Sequence, residues 1–336
     1  MRRLVYTEAD ENKSKDTEEF SWEGDEVSVG DRNGIIEDND PPGHKSGYVA
    51  IIGQPNAGKS TLLNALLGQK LSIVTAKAQT TRHRILSIIS EPDYQLILLD
   101  TPGIMTTQRN KLDERMMANV RQARREADAV LAIADAAAQP RAALQVLLPP
   151  EGRTGPPLAI VLNKVDLLRA AEARALEEYM AAQTGVATVL PTSALTGRGV
   201  EAVRAWALSQ LPEGPTLYPK DDVSEHPERF FVGEIIREKI FELYREEIPY
   251  ATMVQVVDFK DRGAGEKVLV EVHVIVEATS QRGIIIGKGG SALKALGSAA
   301  RVDIEEFLGR PVYLDLTVKV KQNWRRDERL VSSYGA

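Results

Sequence analysis

The stretch GQPNAGKST, residues 53–61, follows the apolar run YVAII and leads into the helix-forming run KSTLLNALLG. It fits the frame G-x-x-x-x-G-K-S/T. In that frame glycines let backbone amides turn toward phosphate oxygens, the lysine neutralises charge and the serine hydroxyl reaches Mg²⁺. A strand before the loop and a helix after it form the setting that a phosphate cradle needs, because the helix N-terminus adds its own positive field. Gly53, Gln54, Pro55, Asn56, Ala57, Gly58, Lys59, Ser60 and Thr61 are therefore the candidate phosphate-binding residues.

Working outward, YQLILLD, AVLAIAD, LAIVLN and TVLPTS are short apolar runs separated by stretches such as KLDERMMANVRQARREA that read as helices. Strands alternating with helices predict a mostly parallel sheet with helices on both faces, an α/β domain. Ligands in such sheets sit beyond the carboxyl ends of the strands, where Gly53, Asp100, Asn163 and Ser193 fall. Asp100 ends the run LILLDTPG. It is a candidate for holding Mg²⁺ through water, with Thr101 and Pro102 leading to Gly103, whose N–H can face a γ-phosphate. The same tetrapeptide also permits a plain strand-ending turn.

The base is decided by NKVD, residues 163–166. The Asp166 carboxylate can accept from guanine N1–H and the exocyclic amine, donors that adenine lacks in that geometry. A buried carboxylate left without donors costs several kcal/mol, so one group selects for GTP and against ATP. Asn163 is expected to brace the loops, the stem of Lys164 to lie on the base, and TSAL (Thr192, Ser193, Ala194, Leu195) to supply a backbone N–H, from Ala194, for guanine O6.

A chain of 336 residues with 43% hydrophobic residues is long enough for two domains. With no cysteine, disulfides, Cys-based zinc sites and thiol nucleophiles are excluded, and the four histidines show no ligand spacing. No apolar run approaches the roughly 18 to 20 residues that span a bilayer. The net charge of −6 conceals an uneven distribution: residues 1–46 carry 13 acidic and 6 basic side chains, whereas residues 279–326 carry 9 basic and 4 acidic. Local field, not overall charge, is what a partner meets. Residues 1–46 read as a disordered acidic tail, and residues 211–227, crowded with prolines and charges, as the domain boundary.

Beyond that boundary the expected order is helix, strand, strand, glycine-rich turn, helix, strand, an α+β module. Its motif is GKGG: Gly287, Lys288, Gly289 and Gly290, entering a helix and flanked by Arg282, Lys294 and Arg301. A G-x-x-G loop lets a nucleic-acid backbone approach amides and a helix N-terminus. Ile284, Ile285 and Ile286 read either as the wall of a base-binding groove or as a buried strand. In the tail KVKQNWRRDERL, Lys319, Lys321, Arg325 and Arg326 are candidate phosphate contacts. Trp324 reads as a stacking platform or as a packed tryptophan.

The boxes GQPNAGKS, DTPG, NKVD and TSA, with KAQTTRHRI between the first two, followed by PERFFVGEIIREKI, IIIGKGGSALKALGSAAR and YLDLTVKVKQNWRRDERLVSSYG, resemble the Era family of GTPases over about residues 47–336. The resemblance implies a P-loop GTPase domain (47–212), a linker (213–227) and a type II KH domain (228–336). It implies a GTP-hydrolysing factor that binds small-subunit ribosomal RNA near its 3′ end and assists assembly of the 30S-type subunit. It places the first switch in KAQTTR, with Thr81, or else Thr80, closing on Mg²⁺ and the γ-phosphate beside Ser60 and Asp100. Lys59, Thr81 and Gly103 thereby become the catalytic set. Ile104 stands where Ras-like proteins place a water-orienting glutamine, so intrinsic turnover is expected to be slow. Asn56 resembles the residue that binds K⁺ in related GTPases; it also reads as a loop-shaping residue. The acidic extension points to a plastid form lacking its transit segment, with the bacterial cytoplasm as the alternative. A rival reading sends the basic stripe to protein or to an anionic membrane as a peripheral contact, and a third makes the chain a scaffold that holds GTP without turnover.

Overall fold

The computed structural model describes residues 40–333 except 76, 78–80, 106, 139, 141–146, 149–154, 185, 262 and 264–265. The expected tail lies outside the described residues as far as residue 39. Residues 40–46, assigned to that tail from composition, instead join the first domain. Lys45 opens strand β1 (Lys45–Gly53), and the Asp40 carboxylate accepts from both the N–H and the hydroxyl of Thr216 at 2.7 and 2.8 Å. Polar side chains mask this pairing in the sequence, because it runs through backbone and carboxylate rather than through an apolar face.

β1 lies at the middle of a six-stranded sheet, parallel to β3 (Tyr94–Asp100) on one side and to β4 (Ala129–Asp135) on the other. β5 (Leu158–Asn163) and β6 (Val189–Pro191) continue the parallel set. β2 (Ile85–Glu91), unmarked in the sequence reading, adds an antiparallel edge on β3 to give the order β2-β3-β1-β4-β5-β6. The continuous apolar runs follow from burial of both faces. Ala50 and Ile52 face α2 (Lys111–Glu126) at Met116, Met117 and Val120. Val49 and Ile51 face α1 (Lys59–Leu67) and α4 (Val200–Gln210) at Leu62, Leu66 and Val203. Between the last two strands runs α3 (Ala170–Thr184). Helix α2 starts where the Asn110 side chain accepts the Asp113 N–H at 3.0 Å, with acidic residues in its first turn and Arg124 and Arg125 in its last, the arrangement its dipole favours.

The second module comprises α5 (Glu228–Leu243), α6 (Ile248–Ala251), β7 (Met253–Lys260), β8 (Val268–Val276), α7 (Thr279–Ile286), α8 (Ser291–Leu308), β9 (Val312–Val320) and α9 (Glu328–Ser333). Its sheet has the order β7-β8-β9, antiparallel then parallel. The GKGG loop thus joins two helices, not a strand and a helix, and Ile284, Ile285 and Ile286 end α7 rather than forming a strand. Three β-branched residues in a row look like a strand, but the Gln281 carboxamide accepts the N–H groups of Glu277 and Ala278 at 3.0 and 3.2 Å and starts a helix as β8 ends. The helix then turns Ile285 into the core and leaves Ile284 half exposed.

Residues 211–227 lack periodicity yet are held along their length. Ser46 N–H donates to Pro212 O at 3.1 Å, the Gln95 side-chain oxygen accepts from Leu217 and Tyr218 N–H at 2.8 and 2.9 Å, and Ile88 N–H donates to Val223 O at 3.0 Å.

Candidate nucleotide and nucleic-acid sites

At the carboxyl end of β1 the chain enters α1 through Gly58, whose φ of 93° lies in the left-handed region; a Cβ there would sit 2.2 Å from the Asn163 amide nitrogen. Lys59 is buried, its ammonium donating to Gly53 O and Gln54 O at 3.2 and 3.0 Å. Burial brings its pKa down to about 8, against the pull of the Asp100 carboxylate. The Lys59 charge is thus held at the mouth of the loop at a desolvation cost that an incoming phosphate would offset. A cleft of about 270 Å³ opens there, lined among others by Pro55, Asn56, Lys59, Ser60, Thr61, Thr81, Gly103 and Lys164.

Beside it, Ser60 Oγ lies 3.0 Å from Thr81 Oγ1 and donates to Asp100 Oδ2 at 2.9 Å, as does Ser72 Oγ at the same distance. Asp100 Oδ1 is buried with no hydrogen-bond partner among the described residues. Burial raises the Asp100 pKa, opposed by Lys59 and by the two hydroxyls. A fully buried carboxylate with one orphaned oxygen beside two hydroxyl oxygens is a hard, all-oxygen donor set, and it fits Mg²⁺. Thr81 is therefore brought to this set; Thr80 lies outside the described residues. Thr101 Oγ1 donates to Ile51 O at 2.8 Å and so fixes the turn after β3. Pro102 is buried, and a Cβ on Gly103 would lie 2.8 Å from Pro55, so only glycine lets the two loops meet. Ile104 donates its N–H to Gly53 O at 2.9 Å and buries its side chain in the core on the α2 side of the sheet.

Asn163 ties the loops together. Its amide nitrogen donates to Ala57 O at 2.9 Å, and its side-chain oxygen accepts the Ala194 N–H at 3.0 Å. The Ala194 N–H expected to meet guanine O6 is therefore engaged within the protein, and contact with a base requires that bond to be shared or exchanged. Ser193, buried, fixes the turn through Thr196 N–H to Ser193 Oγ at 3.3 Å, while Leu195 is 81% exposed. Lys164 adopts φ 67° and pairs with Asp135 at 2.6 Å. Asp166 is exposed rather than buried, so the discrimination expected of it would require a base to cover it.

In the second module all three glycines of GKGG have positive φ: 72°, 60° and 81°. Gly287 also permits close packing, since a Cβ would lie 2.6 Å from that of Ala292, whereas Gly289 and Gly290 face open space. Lys288 is exposed and Ile286 half-buried. Next to the loop a groove of about 400 Å³ is lined by Gly290, Leu293, Lys294, Gly297, Arg301, Leu314 and Leu316 among others. Lys319 is exposed, but strand alternation puts it on the face of β9 away from Leu314 and Leu316; Lys321 is exposed just beyond the strand. Trp324 does not serve as a stacking platform. It is fully buried, its indole N–H donates to Ala251 O at 2.9 Å, and it packs in the core cluster that contains α2. Arg325 pairs with Glu277.

Sequence reasoning missed the junction between the two modules. Arg82, next to Thr81, is buried and donates to Thr252 O, Pro249 O and Tyr250 O at 2.7, 3.1 and 3.0 Å, with its guanidinium carbon 5.8 Å from the centre of the Trp324 ring. Burial, then the neighbouring Arg237, brings its pKa down to about 9. Lys77 donates to Phe241 O and Tyr244 O, and Glu238 accepts from Val74 N–H at 3.1 Å and pairs with Lys70 at 2.7 Å. Nothing in the basic, polar string TTRHR marks a buried arginine; the carbonyls it caps lie about 170 residues away in the chain.

Comparison with known proteins agrees with this division. A family model described as a 50S ribosome-binding GTPase matches residues 48–164, and a KH-domain model matches residues 247–325. The maize protein GTPase ERA1, chloroplastic, is 54% identical over 294 residues, 87% of this chain and 70% of that protein. GTPase Era of Geobacter metallireducens is 43% identical, over 87% of this chain and 97% of its own length. The crystal structure of Era in complex with MgGDPNP and nucleotides 1506–1542 of 16S ribosomal RNA superposes with a TM-score of 0.80 at 38% identity, covering 87% of this chain and 99% of that one. With this identity along most of its length and the same two domains in the same order, the chain belongs to the Era family of GTPases.

Proposed function

We propose that this GTPase is a nucleotide-switched RNA-binding factor that grips small-subunit ribosomal RNA near its 3′ end and assists assembly of the small ribosomal subunit. One observation carries the reading: Thr81 lies against Ser60 at the nucleotide cleft while the next residue, Arg82, is buried in the carbonyls of the second module. Loss of the γ-phosphate would release Thr81, and the domain docked on Arg82 would feel the change. The solved Era complex with MgGDPNP and 16S ribosomal RNA supports both ligands.

In this proposal Lys59, the loop amides of residues 53–61 and the 163–166 and 193–195 segments hold GTP. Ser60, Thr81 and Asp100 would hold Mg²⁺, which would supply charge neutralisation at the phosphates. Because Ile104 is turned into the core, no side chain from that position orients water, and unaided turnover is slow. The GTPase domain of this proposal takes in residues 40–46 and runs to 212, with 213–227 as the connection and 228–336 as the KH domain. The RNA lies along the GKGG loop, with Lys288, Lys294 and Arg301 on its phosphates and bases against Ile286 and the groove. The plastid, in its stroma or nucleoid, is the proposed compartment, as supported by the chloroplastic relatives.

The test is binding of a short RNA copying the 3′ end of the small-subunit RNA. Gly289→Asp places a carboxylate at a φ of 60° in open space beside the phosphate path. It is expected to weaken that RNA at least tenfold, with GDP binding as the folding control; undiminished RNA binding would remove the KH loop from the reading. A second test concerns Asn56, whose φ of 62° already serves loop shaping. If it also holds K⁺, turnover in KCl should exceed that in NaCl several-fold, and equal rates would leave Asn56 a shaping residue only.

A further inference from the structure

A notch of about 280 Å³ lies between the two domains and is lined by Arg109 and Asn110 of the first and by Glu277, Asn323, Arg325 and Arg326 of the second. Three guanidinium groups against one carboxylate give it a surplus of positive charge. Glu277 is committed to Arg325, an ion pair that fixes the Arg325 fork rather than cancelling the other two cations. Arg109 and Arg326 are exposed and form no ion pair among the described residues. The backbone that carries them is held firmly: Arg109 N–H donates to Asp113 Oδ2 at 2.9 Å, and Arg326 N–H donates to Asn323 O at 2.9 Å. Two free arginines and two side-chain amides converging on a cavity of this size form a donor set for the oxygens of a single phosphate.

We propose that a phosphodiester of the bound RNA occupies this notch, so that the GTPase domain takes hold of the same strand as the KH domain. This rests on the RNA reading above. The notch follows the C-terminal end of β9, and the base-binding groove is lined by Leu314 and Leu316 of that strand. Leu316 and Val320 stand four residue steps apart along the strand, roughly 13 Å at about 3.3 Å per step. The phosphate in the notch therefore belongs to nucleotides flanking those in the groove, not to the same ones. Since the notch has one wall on each domain, its width changes whenever the domains move against each other, and RNA affinity becomes sensitive to nucleotide state.

The experiment is a salt titration of RNA affinity for the full chain and for Arg109→Gln, Arg109→Lys and Gly289→Asp, using one RNA that fills only the groove and one extended in either direction. Arg109→Gln is expected to weaken the extended RNA about three- to tenfold near 0.1 M salt and to lower the slope of log affinity against log salt by about 0.7, the value for one lost phosphate contact on a single strand. The short RNA should be unaffected, and Arg109→Lys should restore most of the slope. If Gly289→Asp abolishes binding while Arg109→Gln leaves both RNAs and the slope unchanged, the notch proposal fails and the RNA reading stands. If the unaltered chain binds neither RNA, both fail. Vesicles containing anionic phospholipid form a separate arm: binding that depends on Arg109 there but not with RNA would assign the notch to a headgroup and overturn the proposal.

Discussion

Asp166→Asn is expected to lower GTP affinity by roughly two to four orders of magnitude and to raise affinity for xanthosine triphosphate. In the proposed nucleotide pose the Asp166 carboxylate would accept two hydrogen bonds from guanine, each worth about 1.5 to 3 kcal/mol when one partner is charged. At about 1.4 kcal/mol per factor of ten, their joint loss spans that range. Xanthine carries an oxygen in place of the exocyclic amine, so the asparagine amide has a new acceptor to meet. The change should leave the fold intact. Asp166 is exposed on the turn Val165–Leu167, which is fixed by backbone bonds from Val165 N–H to Thr192 O at 3.2 Å and from Leu168 N–H to Val165 O at 3.2 Å. Displacement of labelled GDP by GTP, xanthosine triphosphate and ATP, with melting temperature as a control, measures both halves of the expectation. Retention of GTP affinity would mean that the base is chosen elsewhere.

The second large effect is expected at Arg82. Arg82→Met keeps most of the aliphatic stem but leaves the carbonyls of Pro249, Tyr250 and Thr252 without their donor in a buried setting, and it removes the cation beside Trp324. Removing one partner from a buried, charge-assisted network costs roughly 3 to 5 kcal/mol. Because the loss falls on the contact between the domains, unfolding should split, with the KH domain melting ahead of the GTPase domain. Any difference in RNA affinity between the GTP and GDP forms should also shrink toward unity. Calorimetry and RNA titrations in both nucleotide states read the two outcomes; a single, unshifted transition would show that Arg82 does not hold the domains together.

Much of the nucleotide cleft was legible because its residues announce themselves locally. Gly58 is needed for its φ, Gly103 for its closeness to Pro55, and both stand inside motifs whose strand-end positions the apolar runs already mark. The sheet was legible for the same reason, apart from β2, where serines interrupt the apolar run although Ser87 is fully buried. What escaped was set by contacts between distant segments. Trp324 in a basic tail looks like a platform for bases, yet the tail folds back onto α2 and buries it. Arg82 looks like a surface charge until the carbonyls of the 249–252 segment surround it. Three isoleucines before GKGG look like a strand through their β-propensity, and there the overlooked signal was close at hand: the Gln281 side chain that caps the turn after β8.

The stitched course of residues 211–227 bears on how far the two halves can travel. A slack leash of that length would let its cargo wander through a broad volume, and each recapture of a bound strand would begin as a fresh encounter. Here the leash is sewn down as far as His226, whose ring nitrogen lies 3.1 Å from Arg84 O, so Pro227 alone stands between that anchor and α5. Motion is confined to an arc about that pivot, and a strand released by one half stays within arm's reach of the other.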